Sequence, residues 1–184
     1  PEVHERATGI PHSFGETLQG IENLSALRTA ERDSERLFMA VRTGVTGQNL
    51  GELIPLVSML GAFGLDCMTL ARKSFDFSIR EGSQWVANAM KVATLNRLWS
   101  QCEGFPPCLM NGCERHVAEC LDVRYRPGEK PKGCHKCVYE PFCEGPSREY
   151  IQKNGSKEFK AVSASPYLED MKRLHTMRFP HGLP

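Results

Sequence analysis

Cys134, Cys137 and Cys143 form a C-x2-C-x5-C pattern between Gly133 and Gly145, and this spacing constrains the chain more than any other feature. Two cysteines separated by two residues turn both thiols inward across a tight turn, and the longer gap brings a third thiol in from another side. Soft thiolates at this density suit an iron–sulfur cluster or zinc. The competing reading is small buried hydrophobes or part of a disulfide set. The distribution of cysteines argues against it. Cys67 stands alone in the first hundred residues, and the other seven of eight fall between positions 102 and 143. Disulfide frameworks spread over small secreted folds, so this clustering points to a local metal site in a reducing, cytoplasmic setting.

A chain of 184 residues with 40% hydrophobic content is sufficient for one ordinary core and a small appendage. The net charge of +1 gives no reason to expect a nucleic-acid or membrane-surface partner. Basic and aromatic residues interleave near the cysteines only at Arg124-Tyr125-Arg126, so nucleic acid is not expected. No apolar run approaches the ~20 residues of a membrane span. The N-terminus, Pro1 to Arg6, has neither the apolar core of a signal peptide nor an initiator methionine, which reads as a fragment of a longer chain.

Along the first hundred residues the pattern alternates. Ser13 with Glu16 forms a capping box ahead of Phe14, Leu18, Ile21, Leu24 and Leu27 at helical spacing, predicting a helix over 14–28 and a loop to Arg36. The apolar run Leu37–Val41 reads as a strand buried on both faces. Asn49 and Glu52 then open a helix with a stripe of Ile54, Val57, Leu60 and Phe63, in which Pro55 is awkward and Gly64 is a natural stop. Cys67–Ala71 reads as a second strand, and Gln84 to about Cys102 as a long helix. This alternation predicts an α/β fold with a parallel sheet and right-handed crossovers.

At Gly104-Phe105-Pro106-Pro107 the composition turns to proline, glycine and cysteine, and hydrophobic periodicity nearly disappears. This predicts a boundary at 103/104 and a loop-rich cysteine module over 104–160 with little core of its own, helical only from Cys113 to Leu121. Residues 161–184 read as a polar tail with one short helix near Tyr167–Leu174.

The module resembles the C-terminal auxiliary-cluster region of radical S-adenosylmethionine (radical SAM) enzymes, of the type called SPASM or its shorter relative, twitch. The resemblance lies in Phe105-Pro106-Pro107-Cys108-Leu109, in Cys134-x2-Cys137-x5-Cys143-Glu144-Gly145-Pro146, and in Tyr150 and Gly155 before Glu158-Phe159. Upstream, His4-Glu5-Arg6, Pro11-x-Ser13-Phe14 and Gly20-Ile21-x-Asn23-Leu24 are similar to the segment after the third strand of that family's barrel. Thr43-Gly44-Val45-Thr46-x-x-Asn49-Leu50-x-Glu52-Leu53 is similar to its fifth strand and helix. The resemblance spans most of residues 2–160 and implies the second half of an incomplete parallel β/α barrel (a partial TIM barrel), followed by the cysteine module.

For function, the resemblance implies an auxiliary four-iron, four-sulfide (4Fe-4S) cluster, used for electron transfer or substrate binding during radical-based modification of a peptide or cofactor precursor. S-adenosyl-L-methionine is the implied cofactor of the complete protein. A peptide or small-molecule substrate and a reductant protein such as ferredoxin or flavodoxin are the implied partners. The C-x3-C-x2-C loop that cleaves S-adenosylmethionine in this family is absent from the sequence. The chain alone is therefore expected to give no 5′-deoxyadenosine with dithionite and S-adenosylmethionine, and multiple turnovers would refute this. A full SPASM region carries a further cysteine where Ser147 stands, which implies one auxiliary cluster rather than two. The alternative is a zinc-binding structural or interaction module without catalysis.

No residue is assigned a catalytic role. Cys134, Cys137 and Cys143 are the expected metal ligands. Cys108, at the position of the family's first ligand, is the candidate fourth, against its reading as a buried linker thiol. With four cysteines a cluster is closed, whereas with three an open iron can bind substrate. Cys113, His116 and Cys120 share a helix face with Val117 and Leu121, which favours core packing over a second metal corner. Cys67 and Cys102 read as packing or surface thiols. His135 reads as a solvated turn residue or a hydrogen-bond partner to sulfur rather than a ligand, and Lys132 and Lys136 as solvated or as offsetting cluster charge. Thr43, Thr46 and Asn49 are candidates for approaching the S-adenosylmethionine nucleoside, and serve equally well as a helix cap with loop polar groups.

Overall fold

The computed structural model describes residues 1–30, 37–118 and 128–178. Three parallel strands, β1 (Ala40–Val45), β2 (Cys67–Arg72) and β3 (Trp99–Glu103), lie in the order β1-β2-β3, with Ala40 opposite Cys67 and Cys67 opposite Trp99. Helix α3 (Leu53–Gly61) connects the first two strands and α4 (Ile79–Leu95) the second two. The expected mixed α/β architecture with a parallel sheet is present.

Alternation along the strands divides the sheet into two faces. Val45, Met68, Leu70 and Cys102 are buried and pack in one apolar cluster with Leu53, Val57 and Leu60 of α3 and Ile79, Val86 and Met90 of α4. The opposite face is mixed, with Cys67, Thr69 and Ala71 buried on β2 and polar groups on its two neighbours. There the Gln101 amide donates to Thr69 Oγ1 at 2.9 Å, and Arg42 pairs with Glu103 across the sheet. The first strand is thus not buried on both faces as its composition suggested. It also begins later: Leu37 and Phe38 are exposed, and pairing with β2 runs from Ala40 to Val45. Register against a neighbour, rather than local hydrophobicity, sets where this strand starts.

The long helix expected over 84–102 is two elements. Ser78 accepts from the Glu81 N–H and opens α4 at Ile79, ahead of the expected start. The helix ends at Leu95 because Arg97 takes φ +58°, and Trp99–Glu103 continue as β3. Pro55 sits in the first turn of α3, where its missing N–H costs nothing. Upstream, α1 (Glu2–Thr8) and α2 (Ser13–Ala30) form a largely exposed pair. Arg28 holds α2 to the body through Asp66 at 2.7 Å, and the same carboxylate accepts the Met39 N–H at 2.9 Å.

Beyond β3 only α5 (Arg148–Asn154) and α6 (Leu168–Arg178) are regular helices among the described residues. The helix expected from Cys113 to Leu121 is a single turn at Glu114–His116, after which Val117 bridges to Cys102; residues 119–121 lie outside the described set. The module is not short of core. Phe105, Met110, Tyr139, Tyr150, Phe159 and Met171 are buried and join the same cluster as the sheet and helices. Tyr150 is on α5 and Met171 on α6, while the others lie in loops and short turns at irregular intervals, so no periodicity announces them. Among the described residues no helix is long and apolar enough to cross a membrane.

Gly82 shows how closely the two regions pack. Alanine in mid-helix usually gains about 0.5–1 kcal/mol over glycine. A Cβ at Gly82 would meet the Phe77 ring at 2.2 Å and the Phe105 ring at 3.0 Å. Gly82→Ala is therefore expected to destabilise by about 1–3 kcal/mol in denaturant unfolding, as overpacking does. A rise in stability would contradict it.

Candidate metal centre

Three short backbone turns carry the four cysteines. Gly104, at φ +79°, turns the chain out of β3, and Cys108 sits in the turn Pro107–Leu109 that follows. Cys134 lies in the turn Lys132–Lys136, its N–H donating to the Pro131 carbonyl at 2.8 Å. The Cys137 N–H donates to the Cys134 carbonyl at 2.9 Å, which closes the knuckle. Cys143 follows the turn Glu140–Phe142. All four cysteines line one cavity, together with Lys130 and Glu140. Phe159 and Pro106 contribute apolar wall.

Backbone contacts hold this arrangement. The Gly128 N–H donates to the Glu144 carbonyl at 2.9 Å and the Glu129 N–H to the Pro146 carbonyl at 2.8 Å, pairing 128–129 with 144–146. The approach is so close that a Cβ on Gly128 would meet the Pro146 carbonyl oxygen at 2.6 Å. On the other side the Val138 N–H donates to the Val162 carbonyl at 2.8 Å, and the Val162 N–H returns to Cys137 Sγ at 3.5 Å. The Gly145 N–H lies 3.3 Å from Cys143 Sγ. Such N–H groups favour sulfur that carries negative charge.

Cys108, Cys134 and Cys143 are held neutral by their surroundings. Burial pushes Cys108 up to about 12, reinforced by the charges of Cys143, Cys137 and Cys134. Burial pushes Cys143 to about 11 against the opposing Gly145 N–H, and it raises Cys134 as well. Four mutually repelling thiolates in a poorly hydrated cavity are a poor arrangement for an empty protein and a good one for a cationic centre, which binds the deprotonated form. The sign of a pH effect follows. Without metal, the folded chain keeps protons that the unfolded chain releases near pH 9, so the unfolded state binds fewer protons and stability falls as pH rises. Metal-free protein is expected to show a declining unfolding midpoint above about pH 9, and a flat midpoint there would count against burial of neutral thiols.

The geometry also bears on what kind of centre fits. Among the described residues no group of three or more His, Cys, Asp or Glu side chains is drawn together so as to hold a metal ion. A lone zinc at about 2.3 Å from each sulfur needs sulfurs about 3.8 Å apart. The four cysteines line one cavity; a lone zinc would draw all four thiolates onto one point, whereas a cuboidal cluster meets each thiolate at a separate iron.

The remaining candidates lie elsewhere. Cys113 is buried with its thiol donating to the Ala87 carbonyl at 3.5 Å, and His116 Nδ1 is 2.7 Å from the Ser100 carbonyl oxygen; both serve packing, and neither lines the cavity. Cys120 and Arg124-Tyr125-Arg126 fall outside the described residues. Cys67 and Cys102 are buried on the strands. Asn49 Oδ1 accepts the Thr46 N–H at 2.9 Å and its Nδ2 donates to the Gly44 carbonyl at 2.7 Å, so its amide organises the turn after β1; Thr43 is on β1 itself. None of these three lines the cysteine cavity. Ser147 accepts the Tyr150 N–H at 3.3 Å and caps α5. His135, Lys132 and Lys136 are exposed.

Two interactions escaped the sequence, one in the cavity wall and one at the junction with α4. Lys130 Nζ donates to the Glu140 carboxylate at 2.8 Å and to the Glu140 carbonyl at 2.9 Å inside the cavity wall. Tyr150, fully buried, accepts the Ile79 N–H at 2.9 Å and donates to Glu158, whose other oxygen accepts the Arg80 N–H at 2.8 Å. Burial and the bond to Glu158 push the phenol to about 12, so it remains a donor. Compared with protein-family models, curated proteins and solved structures, the chain matches none.

Proposed function

We propose that Cys108, Cys134, Cys137 and Cys143 hold a 4Fe-4S cluster, and that the chain is the C-terminal part of a radical SAM-type protein in which this cluster is auxiliary. The observation that carries the reading is that Cys108, far from the C-x2-C-x5-C knuckle in sequence, lines the same desolvated cavity as all three of its thiols. The donor set is all sulfur, and backbone N–H groups reach two of the sulfurs, which suits thiolates bound to an iron–sulfur cluster.

Four thiolates close a cluster, so its role on this reading is to pass electrons or brace the fold, rather than to bind substrate at an open iron. The parallel sheet with its connecting helices would then be part of a β/α barrel, with the cysteines following directly from the C-terminal end of β3, the end at which such folds gather their chemistry. An electron carrier such as ferredoxin or flavodoxin is the matching partner, and a peptide or cofactor precursor the matching substrate class. Anaerobic reconstitution with iron and sulfide is the test. About four irons and four sulfides per chain with a broad visible absorption band are expected. Stoichiometric zinc with no iron uptake overturns the reading.

A further inference from the structure

We propose that Lys130, held by Glu140, sets the reduction potential of the four-cysteine centre. This rests on the reading of the site as an iron–sulfur cluster. Lys130 and Lys160 are the cations that line the cavity, and they differ in setting. Lys160 is exposed. The Lys130 side chain is only 23% exposed, is anchored at 2.8 and 2.9 Å by Glu140, and follows the 128–129 segment that the backbone binds to 144–146 beside Cys143. Its charge acts on Cys134 and Cys143 through the cavity.

Reduction adds one electron to the cluster and breaks no protein bond, so the centre gains one negative charge that the surroundings must stabilise. A fixed ammonium in a poorly hydrated wall favours the reduced state, and a carboxylate beside it partly cancels that effect. The two members of the pair therefore act with opposite sign. Exposed Lys132 and Lys136 are screened by water and salt and contribute little.

The experiment compares Lys130→Met, Lys130→Arg, Glu140→Gln and Lys136→Gln with the unsubstituted chain after anaerobic reconstitution. Iron and sulfide are counted first, then the midpoint potential is measured by dithionite titration followed in the visible band. An unsubstituted chain that takes up no iron overturns the cluster reading itself. With iron present, Lys130→Met is expected to shift the midpoint to more negative potential and Glu140→Gln to more positive potential. Lys130→Arg and Lys136→Gln should stay near the starting value. Shifts of the same sign for Lys130→Met and Glu140→Gln, or no shift in either, overturn the tuning role. If Lys130→Met fails to assemble, Glu140→Gln decides, and its failure to move positive while Lys136→Gln stays fixed overturns the proposal.

Discussion

Cys137→Ala is expected to reduce reconstituted iron from about four per chain to background, and to loosen the cysteine module with it. Cys137 sits at the centre of the arrangement. Its N–H closes the knuckle on Cys134, and its sulfur receives the Val162 N–H from the segment that covers the cavity. On the proposed reading alanine removes a ligand that the neighbouring thiols cannot replace, because each is fixed in its turn. Cys108→Ser is expected to disturb the visible spectrum, since a hard hydroxyl replaces one soft ligand. Cys113→Ser is the internal control. Its thiol touches the Ala87 carbonyl in the core, so iron should be retained and only about 1 kcal/mol of stability lost. Loss of iron from Cys113→Ser together with retention in Cys108→Ser would show that the fourth ligand has been misassigned.

Tyr150→Phe is expected to cost about 1–3 kcal/mol although it deletes one oxygen atom. That oxygen serves both sides of a junction, accepting from Ile79 at the start of α4 and donating to Glu158 in the module. Without it a buried N–H loses its partner, and the carboxylate that also accepts the Arg80 N–H loses a donor. The ring packs against Phe75 and Phe159 and stacks under the Arg72 guanidinium, so Tyr150→Ala adds a cavity and should cost about 3–5 kcal/mol. Denaturant midpoints with unchanged slopes measure both effects. A Tyr150→Phe change below about 0.5 kcal/mol would mean that water takes over the hydroxyl's role.

The sequence carried the features with strong local chemistry. A helix runs from Ser13 to Ala30 close to the expected span, although Ser13 is its first residue and not its cap, since the Glu16 N–H donates to the His12 carbonyl and the Ser13 hydroxyl bonds Thr8; Cys67–Ala71 lies within β2. β3 was hidden because Trp99 and Cys102 continue the apolar spacing of α4, and the break between them is a positive-φ arginine rather than a glycine. The cysteine knuckle was legible from spacing, but its basic companion was not. Lys130, Lys132 and Lys136 look alike in sequence. What separates them is the backbone pairing of 128–129 with 144–146, a contact between segments whose residues show no strand pattern. Tyr150 likewise gave no sign that its hydroxyl joins the two regions, because its partners lie at Ile79 and Glu158.

One consequence of the site's construction is topological. Cys108 hangs from the end of β3, while the knuckle begins at Cys134, 26 positions later. A centre bound to both acts as a cross-link, removing from the unfolded chain the freedom of the loop it closes. Treated like a disulfide over that length, the closure is worth about 3.5 kcal/mol, whatever the loop itself does. Insertions between Cys108 and Cys134 would change this contribution only logarithmically with length. A chain cut once in that interval would remain a single particle for as long as the centre stays loaded, and would separate its strands of sequence only as far as the shared core allows once the metal is removed.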